Sequence, residues 1–325
     1  MPSSLTFSPV QMEDKELFAE IRQNCDLYSK SSASETSFES IYCWSAGENA
    51  QRCIIDEGII ILYQFTDGSM AFYPPIVKKR EYFLPVVRMI SEYCWMNNLP
   101  VYIERLTKEM ANIAEELDCK KCRTIVCRGD FEYLYNPTEF IELNGKKYKG
   151  KRNHLSGFKA IYDYELLSYM PDMKNEVLEL VIYCGKDPAS IDFDMEYRAI
   201  ERALDSIDVL NLYCDVIKVE EKIIALSIGF ISEANVGVCM FEKANIEYRG
   251  SYAAINNLVA EKHFKNCEYI NRQEDMSIEG LRISKLSYHP VAFSEKYIIT
   301  DRADTLQAEL EYDESLINIK PEDLI

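Results

Sequence analysis

Residues 215–244 read DVIKVEEKIIALSIGFISEANVGVCMFEKA. Three apolar runs rich in Val, Ile and Phe are separated by Glu220-Glu221 and by a polar stretch around Asn235. Such runs between short turns predict three consecutive antiparallel strands. The segments C-terminal to them narrow the fold further. YRGSYAAINNLVAEKHF reads as a turn opening a helix, EYINR as a strand, SIEGLRISKLSY as a helix stopped near Pro290, and EKYIITDR as a closing strand.

The first half carries the same order. VQMEDKELFAEIRQ is helical by the spacing of Leu17, Phe18 and Ile21, and Ser34 can cap a short aromatic-rich helix over Phe38, Ile41, Tyr42 and Trp44. GIIILYQF, TDGS and MAFYPPI give strand, turn, strand around Asp67-Gly68. REYFLPVVRMISEYCWMNN is a helix, VYIERL a buried strand, KEMANIAEEL a helix and TIVCR a strand. Helix, antiparallel strands, strand–turn–helix, strand, helix, strand is the order of an N-acetyltransferase-like fold. The expectation is an α+β chain of two tandem GNAT-like (acyl-CoA N-acyltransferase-like) domains, with mixed, mostly antiparallel sheets flanked by helices. Residues 1–135 would form a degenerate first domain. Residues 136–325 would form the second, including a basic helix over 146–158.

Composition bounds the partners. The chain has 325 residues, 47% of them hydrophobic, which is ample for a large core. No run of about 18 apolar residues occurs, so no transmembrane segment is expected. The N-terminus, MPSSLTFSPVQMEDKEL, has no basic region leading into an apolar core, so it does not read as a secretory signal. Eleven cysteines without framework spacing, mostly among apolar neighbours, indicate a reducing cytoplasm. Cys119-Lys-Lys-Cys122 is one C-x-x-C without a second pair, so no metal is expected. A net charge of -18 opposes diffuse binding to nucleic acid and argues against DNA as a partner.

Against that acidity, three places concentrate candidate chemistry. At the strand–turn–helix, Arg249-Gly250-Ser251-Tyr252-Ala253-Ala254 matches a Gln/Arg-x-x-Gly-x-Gly/Ala phosphate loop at its first and last positions, with Tyr252 at the middle glycine. After the strand EYI, Arg272, Glu274 and Asp275 crowd its carboxyl end, and Arg282 and Lys285 come three apart on a helix. A carboxylate there could take a proton and a cation could steady a phosphate or oxyanion; the bland alternative is a surface salt-bridge cluster. In GKKYKGKRNH, Lys147, Lys151, Arg152 and Asn153 lie beside the inward stripe of Tyr148, Leu155 and Phe158, which suits a phosphate-bearing ligand. The helix start Asn136-Pro-Thr-Glu139 precedes it, with Asn144-Gly145 as its stop.

INRQEDMSIEGLRISKLSYHP, EKANIEYRGSYAAIN and LNGKKYKGKRNHLSGFKAIY together resemble a bacterial family related to the C-terminal domain of phosphatidylglycerol lysyltransferase. The resemblance runs the whole length, including SETSFESIYCW. It implies a tandem acetyltransferase-like fold shared with the peptidyltransferases of peptidoglycan cross-bridges. Those relatives move an aminoacyl group from aminoacyl-tRNA to an amine or hydroxyl. It also places Lys285, in Leu281-Arg-Ile-Ser-Lys285, where the relatives carry a lysine on the donor's phosphate or the reaction's negative charge. Ser284 stands where the relatives have an aromatic residue. The expected activity is aminoacyl or acyl transfer, with aminoacyl-tRNA or an acyl-coenzyme A as the phosphate-bearing donor. Glu274, Asp275 and Lys285 would be catalytic. Lys147, Lys151, Arg152, Asn153, Arg249, Gly250, Arg272 and Arg282 would hold the donor phosphate. The alternative is a non-catalytic anion- or nucleotide-binding module that kept the fold.

Overall fold

A computed structural model describes residues 5–65, 67–117, 121–185 and 193–317. The chain forms two compact units. Of the described residues, the first takes those up to Glu132, Glu274–Ile283 and those from Phe293 to 317; the second takes Tyr133–Gln273 and Ser284–Ala292.

The first unit begins with strands β1 (Ser8–Pro9), β2 (Gln51–Ile55), β3 (Gly58–Gln64), β4 (Met70–Phe72), β5 (Ile76–Val77), β6 (Tyr102–Thr107) and β7 (Arg123–Val126). The second unit's sheet is built from β8 (Glu132–Tyr135), β9 (Tyr164–Ser168), β10 (Tyr213–Val219), β11 (Lys222–Ile231), β12 (Val236–Ala244), β13 (Tyr269–Asn271) and β14 (Ala292–Ser294), in the order β14-β8-β13-β12-β11-β10-β9. The last strand, β15 (Lys296–Thr300), returns to the first sheet, whose order is β1-β2-β3-β4-β6-β15-β7 with β5 beside β3. This differs from the expected division into 1–135 and 136–325. The closing strand completes the first unit, because its amides and carbonyls pair with both β6 and β7.

Local chemistry accounts for the elements. In β3 the run Ile59, Ile60 and Ile61 is fully buried, as expected of a central strand covered on both faces. Glu220 and Glu221 both take positive φ, 49° and 66°, the geometry of a two-residue hairpin turn that matches the strands' twist. The helix Phe38–Glu48 is capped by Ser37, whose side chain accepts from the Ser40 amide. Ser34, the expected cap, instead donates its hydroxyl to Glu132 at 2.5 Å. The helix Pro137–Glu142 starts where its sequence signal falls, with the Asn136 side chain accepting from the Glu139 amide. The basic helix runs Lys149–Ile161 with Phe158 buried.

Each unit contains a pair of parallel neighbours. In the first, β4 meets β6 through Phe72 and Ile103. In the second, β12 and β13 pair from Val236 with Tyr269 to Val238 with Asn271. β13 stops there while β12 runs on to Ala244, so the two strands part. The helix after β12, Ser251–Val259, widens into a π turn over Ala260–Phe264. That turn carries Lys262 and His263 to the buried carboxylate of Asp215, each at 2.6 Å. Burial opposes ionisation of Asp215, but the hydrogen bonds from His263 and Lys262 outweigh it, so its carboxyl sits below the usual value.

Candidate active site in the second unit

Arg272 comes directly after β13, at the point where the parallel pair parts. Its Nη2 donates to Glu242 Oε1 on β12 at 2.9 Å, and the same oxygen accepts from Asn256 Nδ2 at 2.7 Å. The guanidinium lies 5.6 Å from the Phe140 ring centre and 5.2 Å from that of Tyr288, and these two rings stack at 4.8 Å. Its Nη1 is buried and has no hydrogen-bond partner. Buried donors are rarely left unpaired, because an unmade bond costs about 1–3 kcal/mol. An orphan donor of this kind points to a ligand.

Lys151 reaches the same place from the basic helix. Its ammonium stands 4.1 Å from the Tyr288 ring centre. Burial, then the neighbouring Arg272 charge, pull its pKa down from 10.5 to about 8. Phe140, Cys239, Glu242, Asn256, Phe264 and Arg272 line a cavity here of about 10 Å³, room for roughly one water.

Lys285 belongs to this unit in a supporting way. Its Nζ donates to the Arg272 carbonyl and, at 3.3 Å, to that of Gln273, and it lies 5.8 Å from the Tyr133 ring centre. It therefore fixes the backbone that carries Arg272. Ser284, in place of an aromatic, leaves that bond intact.

The other expected residues divide. Arg152 donates to the carbonyls of Leu143 and Gly145, satisfying the open end of the preceding helix rather than a ligand. Lys147 is half exposed and pairs with Glu139 at 2.7 Å. Asn153 and Arg249 are exposed. Gly250 takes φ +90°, and a Cβ there would meet the His154 carbonyl, so the basic helix covers one side of the loop. Glu274, Asp275 and Arg282 fall in the first unit, and Lys285 in the second. Asp275 is fully buried and is already engaged, taking Arg282 at 2.8 and 2.9 Å and Arg128 at 3.1 Å. Arg282 also holds Glu314 at 2.5 Å, so it has little left to offer a phosphate. Their i, i+3 spacing aligned Arg282 and Lys285, but Arg282 is taken by the acids Asp275 and Glu314 and Lys285 by backbone carbonyls. Cys119 of the C-x-x-C lies outside the described residues; among those described, no group of three His, Cys, Asp or Glu is set to hold a metal.

Sequence reasoning misses Glu242 and Asn256. The signal for Glu242 is visible in VCMFE, a lone acid late in a buried apolar strand, and such an acid needs a partner.

Two α+β units, each with a parallel strand pair inside a mostly antiparallel sheet, define a tandem acetyltransferase-like protein. The chain belongs to the family described as phosphatidylglycerol lysyltransferase, C-terminal, whose model matches residues 28–300. It is similar to a conserved protein of unknown function from Bacteroides thetaiotaomicron, with TM-score 0.74 and 27% identity over 91% of this chain and 99% of that one. It shares its fold with L-PGS from Bacillus licheniformis, with TM-score 0.65 and 13% identity over 96% of this chain and 98% of that one. A curated relative, the uncharacterized protein MYCGA3080 of Mycoplasmoides gallisepticum, is 24% identical over 264 residues, spanning 77% of this chain and 81% of that protein. Family and fold support an aminoacyl- or acyltransferase-like function. No described helix is long and apolar enough to cross a membrane.

Proposed function

We propose that this chain is an aminoacyltransferase that takes its aminoacyl group from aminoacyl-tRNA, not from an acyl-coenzyme A, and passes it to an amine or hydroxyl. The observation that carries this reading is the unpaired, buried Nη1 of Arg272 beside the ammonium of Lys151. A fork donor and a second cation in a dry site suit a donor phosphate or the oxyanion of an attacked ester. In the transfer the acceptor's nitrogen or oxygen bonds to the acyl carbon and the ester C–O bond breaks. The acceptor's proton ends on the departing sugar oxygen. With a pKa near 8, Lys151 is charged at neutral pH and can hand a proton to that oxygen, then recover it.

Two features weigh against coenzyme A. Tyr252 stands at the middle glycine position, and the basic helix covers Gly250.

The test uses a non-hydrolysable 3′-aminoacylamide analogue of a tRNA acceptor end, with coenzyme A as the comparison, in titration calorimetry. Micromolar binding of the analogue that Arg272→Lys weakens at least tenfold, with no binding of coenzyme A, is expected. Coenzyme A binding without analogue binding would reverse the donor assignment. Binding with no release of the aminoacyl group from charged tRNA, across amine and hydroxyl acceptors, would leave the non-catalytic module.

A further inference from the structure

The first unit has its own parting of parallel strands, and its chemistry differs. β4 ends at Phe72, the partner of Ile103, while β6 continues to Thr107. Arg105 sits in that extension with φ +61°, where the pairing of β6 with β15 shifts register. A non-glycine residue held in the left-handed region at a bulge is a recurrent mark of ligand sites. Its guanidinium lies 5.7 Å from the Tyr63 ring centre and 5.2 Å from that of Tyr73, and it pairs with Glu104 at 2.9 Å and Glu48 at 3.7 Å.

Next to it is a second buried group. Lys296 is fully buried, and its ammonium is held by Glu35 at 2.5 Å and Glu132 at 2.8 Å. Asp130 and Glu274 act electrostatically on these same residues. Six carboxyls therefore face two fixed cations, Arg105 and Lys296. So many buried carboxylates cannot all be ionised without further countercharge. Burial first, and the neighbouring Glu132 next, raise Glu35 to about 8, and burial raises Glu104 to about 8 and Glu274 upward. The cluster thus stores protons where a cation would serve.

One position in it is open. Glu35 is 7% exposed; its Oε1 holds Lys296, while its Oε2 is buried and unpartnered. Glu274, which acts on Glu35, makes no hydrogen bond or ion pair to another side chain among the described residues. The Lys296 ammonium shows what these carboxylates accept. No group of three His, Cys, Asp or Glu among the described residues is set to hold a metal, which favours an organic cation over an inorganic one.

We propose that Glu35 Oε2 and Glu274 form a binding seat for the primary ammonium group of a small molecule, inside the first unit. Binding exchanges charge for charge: the ammonium enters, Glu35 ionises, and its proton leaves to solvent. The inference does not depend on the donor assignment, which rests on Arg272 and Lys151 in the second unit.

The test is titration calorimetry of the full chain at pH 7 with ethylammonium, repeated in two buffers of different ionisation enthalpy. Saturable binding with release of about one proton is expected, with no binding of tetramethylammonium, which cannot donate a hydrogen bond. Glu274→Gln should weaken ethylammonium at least tenfold while keeping the wild-type melt, since it breaks no side-chain bond. Glu35→Gln, which also weakens the hold on Lys296, should lower ethylammonium affinity at least as much, and Glu274→Gln decides the matter where that variant unfolds. Absence of ethylammonium binding, binding without proton release, or binding unchanged in Glu274→Gln overturns the proposal. So does magnesium binding at the same residues in place of ethylammonium.

Discussion

Lys151 and Arg152 are adjacent in sequence and do different work. Lys151 turns inward to Tyr288 and Arg272, while Arg152 closes the end of the helix before it. The titration of Lys151 gives a test. Its folded pKa of about 8 lies below its ordinary 10.5, so the ammonium is present at pH 7 and lost as pH rises through 8. Donor affinity should therefore fall about 10- to 30-fold between pH 7 and 9.5, the upper figure being the loss of charged fraction for a single group of this pKa. Lys151→Arg should flatten that profile, and a flat wild-type profile in calorimetry would remove the lysine from the site. The same depressed value favours the folded neutral lysine, so this group's contribution to stability rises with pH between 8 and 10.5. Lys151 was legible in the sequence because the apolar stripe of Tyr148, Leu155 and Phe158 fixes which way the helix faces. Arg152 was not, because its partners are backbone carbonyls, which leave no mark in a sequence.

At the scale of elements, turns and caps were the most readable features. Glu220-Glu221, Asn235, Asp67-Gly68 and the Asn136 cap fall where short-range chemistry puts them. The packing of elements on one another was less readable, and Gly250 shows why. Its φ of +90° is a local matter, but the His154 carbonyl that fills its side-chain space comes from another helix. Gly250→Ala should cost about 1–3 kcal/mol in a denaturant titration, from the left-handed backbone alone and more from the clash. An unchanged midpoint would mean that the basic helix does not rest on this loop. The π turn offers a second test. Asp215 joins Lys262 and His263, and its folded carboxyl lies below its unfolded value of 3.8. The stability it contributes is thus present above 3.8 and lost as pH falls through the lower, folded value. Asp215→Asn should melt earlier at pH 6 than the wild type, and the gap should close towards pH 2.

At the scale of the whole molecule, the tandem character was legible from the repeated order of elements, but the destination of the last strand was not. EKYIITDR reads as a strand wherever it goes, and alternation alone does not say which sheet it joins. In the structure β15 lies between β6 and β7, and it brings Lys296 to Glu35 and Glu132. Lys296→Met should therefore cost about 3–5 kcal/mol, because it leaves carboxyls buried without their cation. A chain ending at Pro290 should lose hydrogen-exchange protection in β6 and β7, and retained protection there would mean that β15 is dispensable. The same topology bears on how the protein is made. β15 comes after β7 by about 170 residues, which at 5–20 residues per second is roughly 8–35 s of synthesis. Through that interval the nascent first sheet has a gap between two open edges, a template for mispairing with other nascent chains. The earliest part of this protein to be translated is among the last to close, so its yield in a cell is tied to what shields an unfinished sheet at the ribosome.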